Sequence, residues 1–201
     1  MPRARPANQA ALDQWSQAAR RATRIEHPAL AHVVEVGEHD HWPFIAYELG
    51  PATVLSDRLD SKGISAKEAV PWSMSLFEGL AFAHDAGSAH HDIQPFMVLL
   101  PSIGPARLLG LGVALDPVAG SGASQQAHRL ASDRDLVAMG LVMHHMLAGT
   151  PALDQPDVSE VISHMPPLGR EIVRLPWSTA HPIPEPLRAI INRATDRQER
   201  Q

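Results

Sequence analysis

The stretch LAFAHDAGSAHHDIQPFMVLL, residues 80–100, carries most of the information about how this chain folds. It begins in the last turns of a predicted helix that ends at Gly87, since glycine commonly follows the last helical residue. A polar segment containing Asp92 comes next, and residues 98–100 then begin a predicted hairpin whose second strand is residues 106–109. The stretch therefore predicts a helix, a polar loop and a hairpin in immediate succession.

The residues before this stretch predict two helices and a small sheet. Apolar residues recur at helical spacing from about Gln9 to Glu26, and the helix ends before Pro28, because the residue preceding a proline is pushed out of the helical conformation. Residues 31–36 and 43–49 are short and partly β-branched, which predicts two strands. A second helix runs from about Ser65 to Gly87. Its predicted buried stripe is Val70, Met74, Phe77, Ala81 and His84.

The residues after the stretch predict two further helices. The run from Asp135 to Ala148 is otherwise free of formal charge when its histidines are neutral. A helix that is apolar all round belongs in the centre of a fold. Residues 185–197 are amphipathic and predict a last helix.

The composition favours a packed, mainly helical domain. Of 201 residues, 44% are hydrophobic, but four Phe, four Trp and one Tyr leave the core mostly to aliphatic side chains. The net charge of −5 argues against nucleic acid or an anionic membrane as a partner. The absence of Cys excludes disulfides and thiolate metal sites. No stretch resembles a signal peptide or a membrane span, so the sequence predicts a cytoplasmic protein.

Four short motifs, in this order along the chain, resemble the protein kinase fold of bacterial serine/threonine kinases. They are residues 25–30, which are similar to the passage after the family's αC helix; residues 80–100, which resemble the catalytic loop; residues 108–114, which lie where the D-F-G motif belongs; and residues 132–140 with 147–151, which resemble the central αF helix. Together they cover roughly residues 12 to 197. Each motif is weak alone, but their common order is specific.

The resemblance implies a mainly α (α+β) fold, a protein kinase-like C-lobe with αC and a reduced N-lobe sheet. The expected organisation is a flexible N-terminal tail over residues 1–8, αC with remnant N-lobe strands over residues 9–53, and a helical C-lobe over residues 54–201. The strands that bear the family's glycine-rich loop and ATP-binding lysine are then missing. The chain's two lysines, Lys62 and Lys67, flank a predicted helix cap and do not match that strand.

The departures from the family fall on positions that handle ATP and metal, where phosphoryl transfer depends on positioning and charge neutralisation. The position of the αC glutamate falls on Ala18. The catalytic-loop arginine, lysine and asparagine and the D-F-G aspartate are replaced in turn by His91, Gln94, Met97 and Gly110. Only Asp92 matches the position of the catalytic base, and it is expected at the surface of an empty cleft.

Three matches concern positions that support the fold in the family. The resemblance implies that His90 and Leu111 belong to an internal apolar spine. It also implies that Asp135 is the buried αF aspartate that accepts backbone donors of the catalytic loop. These three residues are therefore expected to be structural anchors.

The resemblance and its departures imply a pseudokinase, which is not an enzyme, holds no cofactor or metal ion, and serves as a protein-binding scaffold or regulatory module. Without most of the N-lobe, the outer face of αC is expected to face water. An apolar patch and an open strand edge are both features of interaction surfaces. Leu12, Trp15 and Ala19, with the edge of the first strand, are thus the expected interface for another protein or for self-association.

Two enzymatic alternatives remain open. One is an atypical phosphotransferase that uses Asp92. The other is a metal phosphohydrolase of the H-D type, because His91-Asp92 resembles the heart of such sites and His84 lies upstream. The remaining histidines favour packing: His144 and His145 are adjacent on a predicted helix, so their side chains point about 100° apart and cannot share one ion.

Overall fold

The computed structural model describes residues 1–114, 125–164, 175, 177 and 179–195. The elements of these residues, in chain order, are α1 (Gln9–Ala22), β1 (Val33–His39), β2 (Trp42–Tyr47), β3 (Ala52–Val54), α2 (Ala66–Asp85), β4 (Val98–Pro101), β5 (Arg107–Leu108), α3 (Gln125–Ala148), α4 (Val158–His164) and α5 (Glu185–Thr195). Short 3-10 turns lie at Leu55–Asp57, Pro95–Met97 and Ala152–Asp154. The predicted mainly helical chain with small sheets is confirmed.

Helix α1 is fixed at its start by a side-chain cap and along its length by one buried face. The Asn8 carboxamide oxygen accepts a hydrogen bond from the backbone N–H of Ala11 at 2.9 Å. Trp15 is 0% exposed, and its indole N–H donates to the backbone carbonyl oxygen of Val113 at 2.8 Å. A buried indole needs such a partner, so this contact ties α1 to the segment after β5.

The expectation that Leu12, Trp15 and Ala19 face water is wrong, because all three are buried. Trp15 and Ala19 form a small core of their own with Ile45 of β2 and Val113. The segment after β5 reaches α1 because residue 112 is a glycine: a Cβ there would lie 2.6 Å from the Cβ of Ala22. This segment and the β1–β2 hairpin therefore cover the face that was expected to be open.

Strands β1 and β2 form an antiparallel hairpin, as predicted, but with a tighter turn. His39 pairs with Trp42, and the two residues between them, Asp40 and His41, have φ angles of 49° and 65°. Positive φ at both central residues is the geometry of a two-residue type I′ turn. Residues 37–39, which lie between the two predicted strands, therefore belong to β1.

The second sheet has three strands in the order β3-β4-β5, all antiparallel. The β4–β5 hairpin was predicted, whereas β3 is only three residues long and was missed. The linker after α1 is bonded to this sheet, because the N–H of Ala31 donates to the Leu108 carbonyl at 2.9 Å and the N–H of Leu108 donates to the Ala29 carbonyl at 2.8 Å. The two sheets are thereby held in one body around that linker.

The predicted buried stripe of helix α2 is wrong. The stripe that the helix buries lies one residue earlier along the chain. Met74, on the predicted stripe, is exposed. The residues that α2 buries are Ala69, Ser73, Leu76, Gly79, Leu80 and Ala83. Most of them are small, because the helix packs closely: a Cβ at Gly79 would lie 3.1 Å from the Cβ of Ala29. A hydrophobicity pattern overlooks a face of this kind.

Helix α3 is the centre of the molecule, as predicted, although it begins at Gln125 instead of Asp135. From Val137 to Ala148 every residue except His145 is buried. The helix contacts α2, α4 and α5. Helix α4 was not predicted, and the last two residues of the predicted C-terminal helix lie outside the described residues. Within the described part of the chain, no helix combines the length and apolarity needed to cross a bilayer.

Trp15→Ala is expected to lower the free energy of unfolding by about 3–5 kcal/mol, the usual cost of emptying a buried aromatic site. The matched control is Ile103→Ala, since Ile103 is exposed in the turn between β4 and β5. Urea unfolding followed by circular dichroism measures both. Equal stability of the two variants would contradict the burial of Trp15.

Candidate functional site

One buried carboxylate holds the loop between α2 and β4. Asp135 of α3 is 1% exposed, and it accepts hydrogen bonds from the backbone N–H groups of His90 at 2.6 Å and His91 at 2.8 Å. Its Oδ2 also lies 2.9 Å from Nε2 of His84 on α2. Burial raises the pKa of Asp135, but the hydrogen bond from His84, the charge of His90 and the two N–H groups outweigh it and lower the pKa overall.

The carboxylate of Asp135 also fixes an unusual backbone conformation. His91 has a φ of 69°, which is uncommon for a residue other than glycine. The N–H of His91 and the N–H of the residue before it, His90, are both bonded to Asp135. The resemblance to the kinase fold implied that Asp135 accepts backbone donors of this loop, and its role as a structural anchor is a prediction tested below.

His90 and Leu111, the other two expected anchors, are both buried. Leu111 lies in the main hydrophobic core, whereas Nε2 of His90 is 2.7 Å from the backbone carbonyl oxygen of Leu109. A buried imidazole with a hydrogen-bond partner is a stable core residue. His90 therefore connects the loop to the strand that ends before Gly110.

Met97 and Gly110, at the family's two metal-binding positions, lie against each other. Gly110 has a φ of 93°, and a Cβ on it would be 3.0 Å from Sδ of Met97 and 3.2 Å from the ring of His90. The N–H of Gly110 donates to the hydroxyl oxygen of Tyr47 at 3.0 Å, and burial raises the pKa of Tyr47 to about 12. Neither position supplies a side-chain oxygen.

Ala18, at the position of the αC glutamate, is half-buried on α1. Its side chain is a methyl group and can form no ion pair. Its backbone carbonyl oxygen lies near Gly112, where a Cβ would be 3.5 Å away. Close packing between α1 and the segment after β5 thus surrounds the position that the resemblance assigns to the glutamate.

The expectation that Asp92 lies at the surface of an empty cleft is wrong, because Asp92 is 6% exposed and both of its carboxylate oxygens accept hydrogen bonds. Arg3 donates from Nε to Oδ2 at 2.6 Å and from Nη2 to Oδ1 at 2.8 Å. Gln94 Nε2 donates to Oδ1 at 2.9 Å, and the hydroxyl of Ser159 donates to Oδ1 at 3.0 Å. Burial raises the pKa of Asp92, but these hydrogen bonds and the charge of Arg3 lower it below its ordinary value.

A second carboxylate, Asp157, completes the arrangement around Arg3. Nη1 of Arg3 donates to its Oδ2 at 2.5 Å, and Nη2 donates to its Oδ1 at 3.2 Å. Asp157 also caps α4, since its Oδ1 accepts from the backbone N–H groups of Ser159 at 2.9 Å and Glu160 at 3.2 Å. Hydrogen bonding to Arg3 is the main reason that the pKa of Asp157 lies below its ordinary value.

Gln94 joins the two carboxylates. Its Nε2 donates to Asp92 and, at 3.2 Å, to Oδ1 of Asp157, whereas its Oε1 accepts from the backbone N–H of Val158 at 3.0 Å. The residue that replaces the family's lysine therefore has all its polar groups engaged.

Sequence reasoning missed Arg3, Asp157 and Ser159, which lie far from Asp92 along the chain. The only local signal was an aspartate at the start of an unpredicted helix.

Neither the main cavity nor the grouping of ionisable side chains among the described residues adds a second site. A cavity of about 370 Å³ lies beside the linker after α1, and its walls include Ile25, His27, Tyr47, Arg107 and Leu111. None of the residues around Asp92 lines it. Among the residues that the structure describes, no three His, Asp or Glu side chains are grouped so that they could hold a metal ion. The geometry at Asp92 is thus that of an ion-pair network.

Comparison with known proteins agrees with the kinase resemblance. No family model matches the chain. The chain is 28% identical over 165 residues to serine/threonine-protein kinase pkn2 of Myxococcus xanthus, an alignment that covers 72% of this chain and 20% of pkn2. It is 24% identical over 171 residues to serine/threonine-protein kinase PrkC of Bacillus subtilis, covering 77% of this chain and 26% of PrkC. The chain thus spans about a quarter or less of the length of these relatives.

Solved structures show the same fold. The kinase domain of PknI from Mycobacterium tuberculosis is similar with a TM-score of 0.60 and 22% identity, over 80% of this chain and 68% of that chain. A double mutant of the same domain is similar with a TM-score of 0.65 and 20% identity, over 95% of this chain and 73% of that chain. The chain has a protein kinase-like α+β fold and resembles bacterial serine/threonine kinases, which confirms the predicted fold class and resemblance.

Asp135→Ala is expected to destabilise the fold strongly, because it leaves two buried N–H groups and His84 without their acceptor, at a cost of about 1–3 kcal/mol for each buried group. Asp133→Ala is the matched control, since Asp133 is an exposed carboxylate on the same helix. Chemical unfolding of the two variants gives the comparison. If Asp135→Ala were as stable as the control, Asp135 would not be the anchor of the loop.

Proposed function

We propose that this chain is a degenerate kinase-like domain, a pseudokinase, that does not transfer phosphate and works instead as a protein-binding scaffold or regulatory module. The observation that carries the proposal is the packing of Met97 against Gly110 at the two positions where the family holds its metal ions. Mg²⁺ in phosphoryl transfer is bound by oxygen ligands. A thioether and a hydrogen atom provide none.

The lysine requirement supports the same proposal. Protein kinases hold the ATP phosphates with a strand lysine that is paired with the αC glutamate. The only two lysines of the sequence are Lys62 and Lys67, and both are exposed near the start of α2, far along the chain from α1. With Ala18 at the glutamate position, neither half of that pair is present on α1 or on the β1–β2 hairpin.

The hydrogen bonding and the lowered pKa of Asp92 argue against an atypical phosphotransferase. An ionised carboxylate has about four lone-pair sites, and Asp92 receives four hydrogen bonds from Arg3, Gln94 and Ser159. Its pKa is also lowered, whereas a general base acts best when its pKa lies near the operating pH. Three of these bonds are accepted by Oδ1 and one by Oδ2, and Arg3 contacts both oxygens. A substrate hydroxyl, or a metal ion of the H-D type, would therefore have to displace Arg3 before it could reach Asp92.

Mg-ATP is expected not to bind, because the triphosphate charge would meet no lysine and no metal ligand. Isothermal titration calorimetry of the purified chain with ATP, with and without Mg²⁺, measures this, with an ATP-binding kinase as positive control. A micromolar dissociation constant, which corresponds to about −8 kcal/mol, would contradict the proposal.

The open edge of β1 is the surface that we propose for a partner. Strands β1 and β2 form a two-stranded sheet, so β1 has a second edge that no described strand covers. Val34 on this strand is 66% exposed. Unpaired strand edges are templates for pairing with another chain, and a second copy of this chain offers the same edge.

Self-association through this edge is therefore expected at high protein concentration, and Val34→Glu is expected to weaken it by adding a like charge to both copies. Multi-angle light scattering over a concentration series measures the mass. Ile103→Glu is the matched control, since Ile103 is also an exposed apolar residue but lies away from β1. A chain that stays monomeric throughout, or equal effects of the two substitutions, would contradict a role for the edge.

A further inference from the structure

The N-terminal segment, residues 1–8, does not behave as the free tail expected from the sequence, because its Arg3 contacts the centre of the site. Arg3 is 89 residues away from Asp92 along the chain and 154 residues away from Asp157. Residues this distant meet only where the fold brings them together. Their contact is therefore a tertiary interaction of the segment with the loop after α2 and with the start of α4.

The contact has the geometry of arginine recognition. Nε and Nη2 of Arg3 donate to the two oxygens of Asp92, and Nη1 and Nη2 donate to the two oxygens of Asp157. All three nitrogens of the guanidinium are thus engaged. A planar guanidinium can bond to carboxylates bidentately, whereas a lysine ammonium is a point charge with no such fork. The arrangement therefore selects arginine over lysine.

The acidic side of the contact is built without help from Arg3. Gln94 donates to both carboxylates and is itself fixed by the N–H of Val158. Ser159 donates its hydroxyl to Asp92 and its N–H to Asp157. These bonds hold the two carboxylates in place before any cation arrives, and like charges held this close need a positive group between them.

Arg3, by contrast, is held only loosely by the rest of the molecule. The Arg3 side chain is 51% exposed, whereas the side chain of Asp92 is 7% exposed. No regular element includes residues 1–8, and α1 begins only at Gln9. Arg3 can therefore leave by a movement of the segment alone, and the site would then present two aligned carboxylates to solvent.

We propose that Asp92 and Asp157 form a binding site for an arginine side chain, that Arg3 fills this site in cis, and that an arginine-bearing peptide segment of a partner protein can take its place. In this arrangement the position matching a catalytic base has become a recognition site, and residues 1–8 are a displaceable arm that covers it. The proposal concerns guanidinium binding and not nucleotide binding, so the Mg-ATP titration and the experiments below can fail independently.

The first experiment opens the site and refills it in trans. The Arg3→Gln variant of the 201-residue chain is titrated with a synthetic peptide of residues 1–8, MPRARPAN, and binding is followed by two-dimensional amide NMR at low ionic strength. We expect the amides of residues 94 and 157–160 to shift, with at least tenfold weaker binding to the unsubstituted chain, where Arg3 competes. The Arg5→Gln variant is the matched control. It loses the same positive charge but keeps Arg3 in the site, so it should behave as the unsubstituted chain.

The selectivity of the site is read from two further peptides and one further variant. These peptides carry Gln at position 5, so that only the third residue can fill the site; replacing Arg at position 3 by Lys should then weaken binding about tenfold, and replacing it by Gln should abolish it. Adding Asp157→Asn to the Arg3→Gln chain should also abolish binding. Equal binding of the Arg and Gln peptides, or no binding of any peptide to the Arg3→Gln chain, would overturn the proposal.

The second experiment tests the arm in the intact chain. Trypsin can cut after Arg3, but only when that side chain has left Asp92 and Asp157, and the bond after Arg5 is protected because Pro6 follows. Mass spectrometry follows release of residues 1–3. The cut should be several-fold faster in Asp157→Asn than in the unsubstituted chain, and Asp154→Asn, an exposed neighbour, should have no effect. Equal rates in all three would show that Arg3 is not held.

Discussion

The rest of the site depends on the hydrogen bonds that the carboxylate of Asp135 accepts. It holds the N–H groups of His90 and His91 from the centre of α3, and it ties His84 of α2 to the same point. The positive φ of His91 follows from this constraint, and the chain then places Asp92 beside α4. One buried acceptor therefore sets the path of the loop between α2 and β4.

The molecule separates two sets of positions that the kinase fold normally combines. At the positions that the resemblance assigns to support of the fold, Asp135 bonds to the loop, and His90 bonds to the carbonyl of Leu109. At the positions that it assigns to phosphate and metal, Met97 packs on Gly110, and Asp92 is bonded to Arg3. The frame is thus stabilised by interactions that do not require nucleotide or metal.

The sequence predicted long periodic elements and ordered motifs well, because helical spacing and capping residues act locally. It failed where small residues and distant pairs decide the packing. The buried stripe of α2 runs through Ser73 and Gly79, which a search for large apolar residues overlooks. Trp15 was expected to be exposed because most of the N-lobe is missing, and Val113, which helps to cover it, lies 98 residues away and leaves no local signal. The pairing of Arg3 with Asp157 spans 154 residues and leaves no periodic signal.

The titration of the Asp92 carboxyl carbon by NMR tests most directly whether the position of the catalytic base has become half of an ion pair. The unsubstituted chain should show a pKa below the ordinary aspartate value of about 3.9, and Arg3→Gln should raise it, because the charge and two hydrogen bonds of Arg3 are lost. A pKa at or above the ordinary value, or one that Arg3→Gln leaves unchanged, would contradict this account of the site.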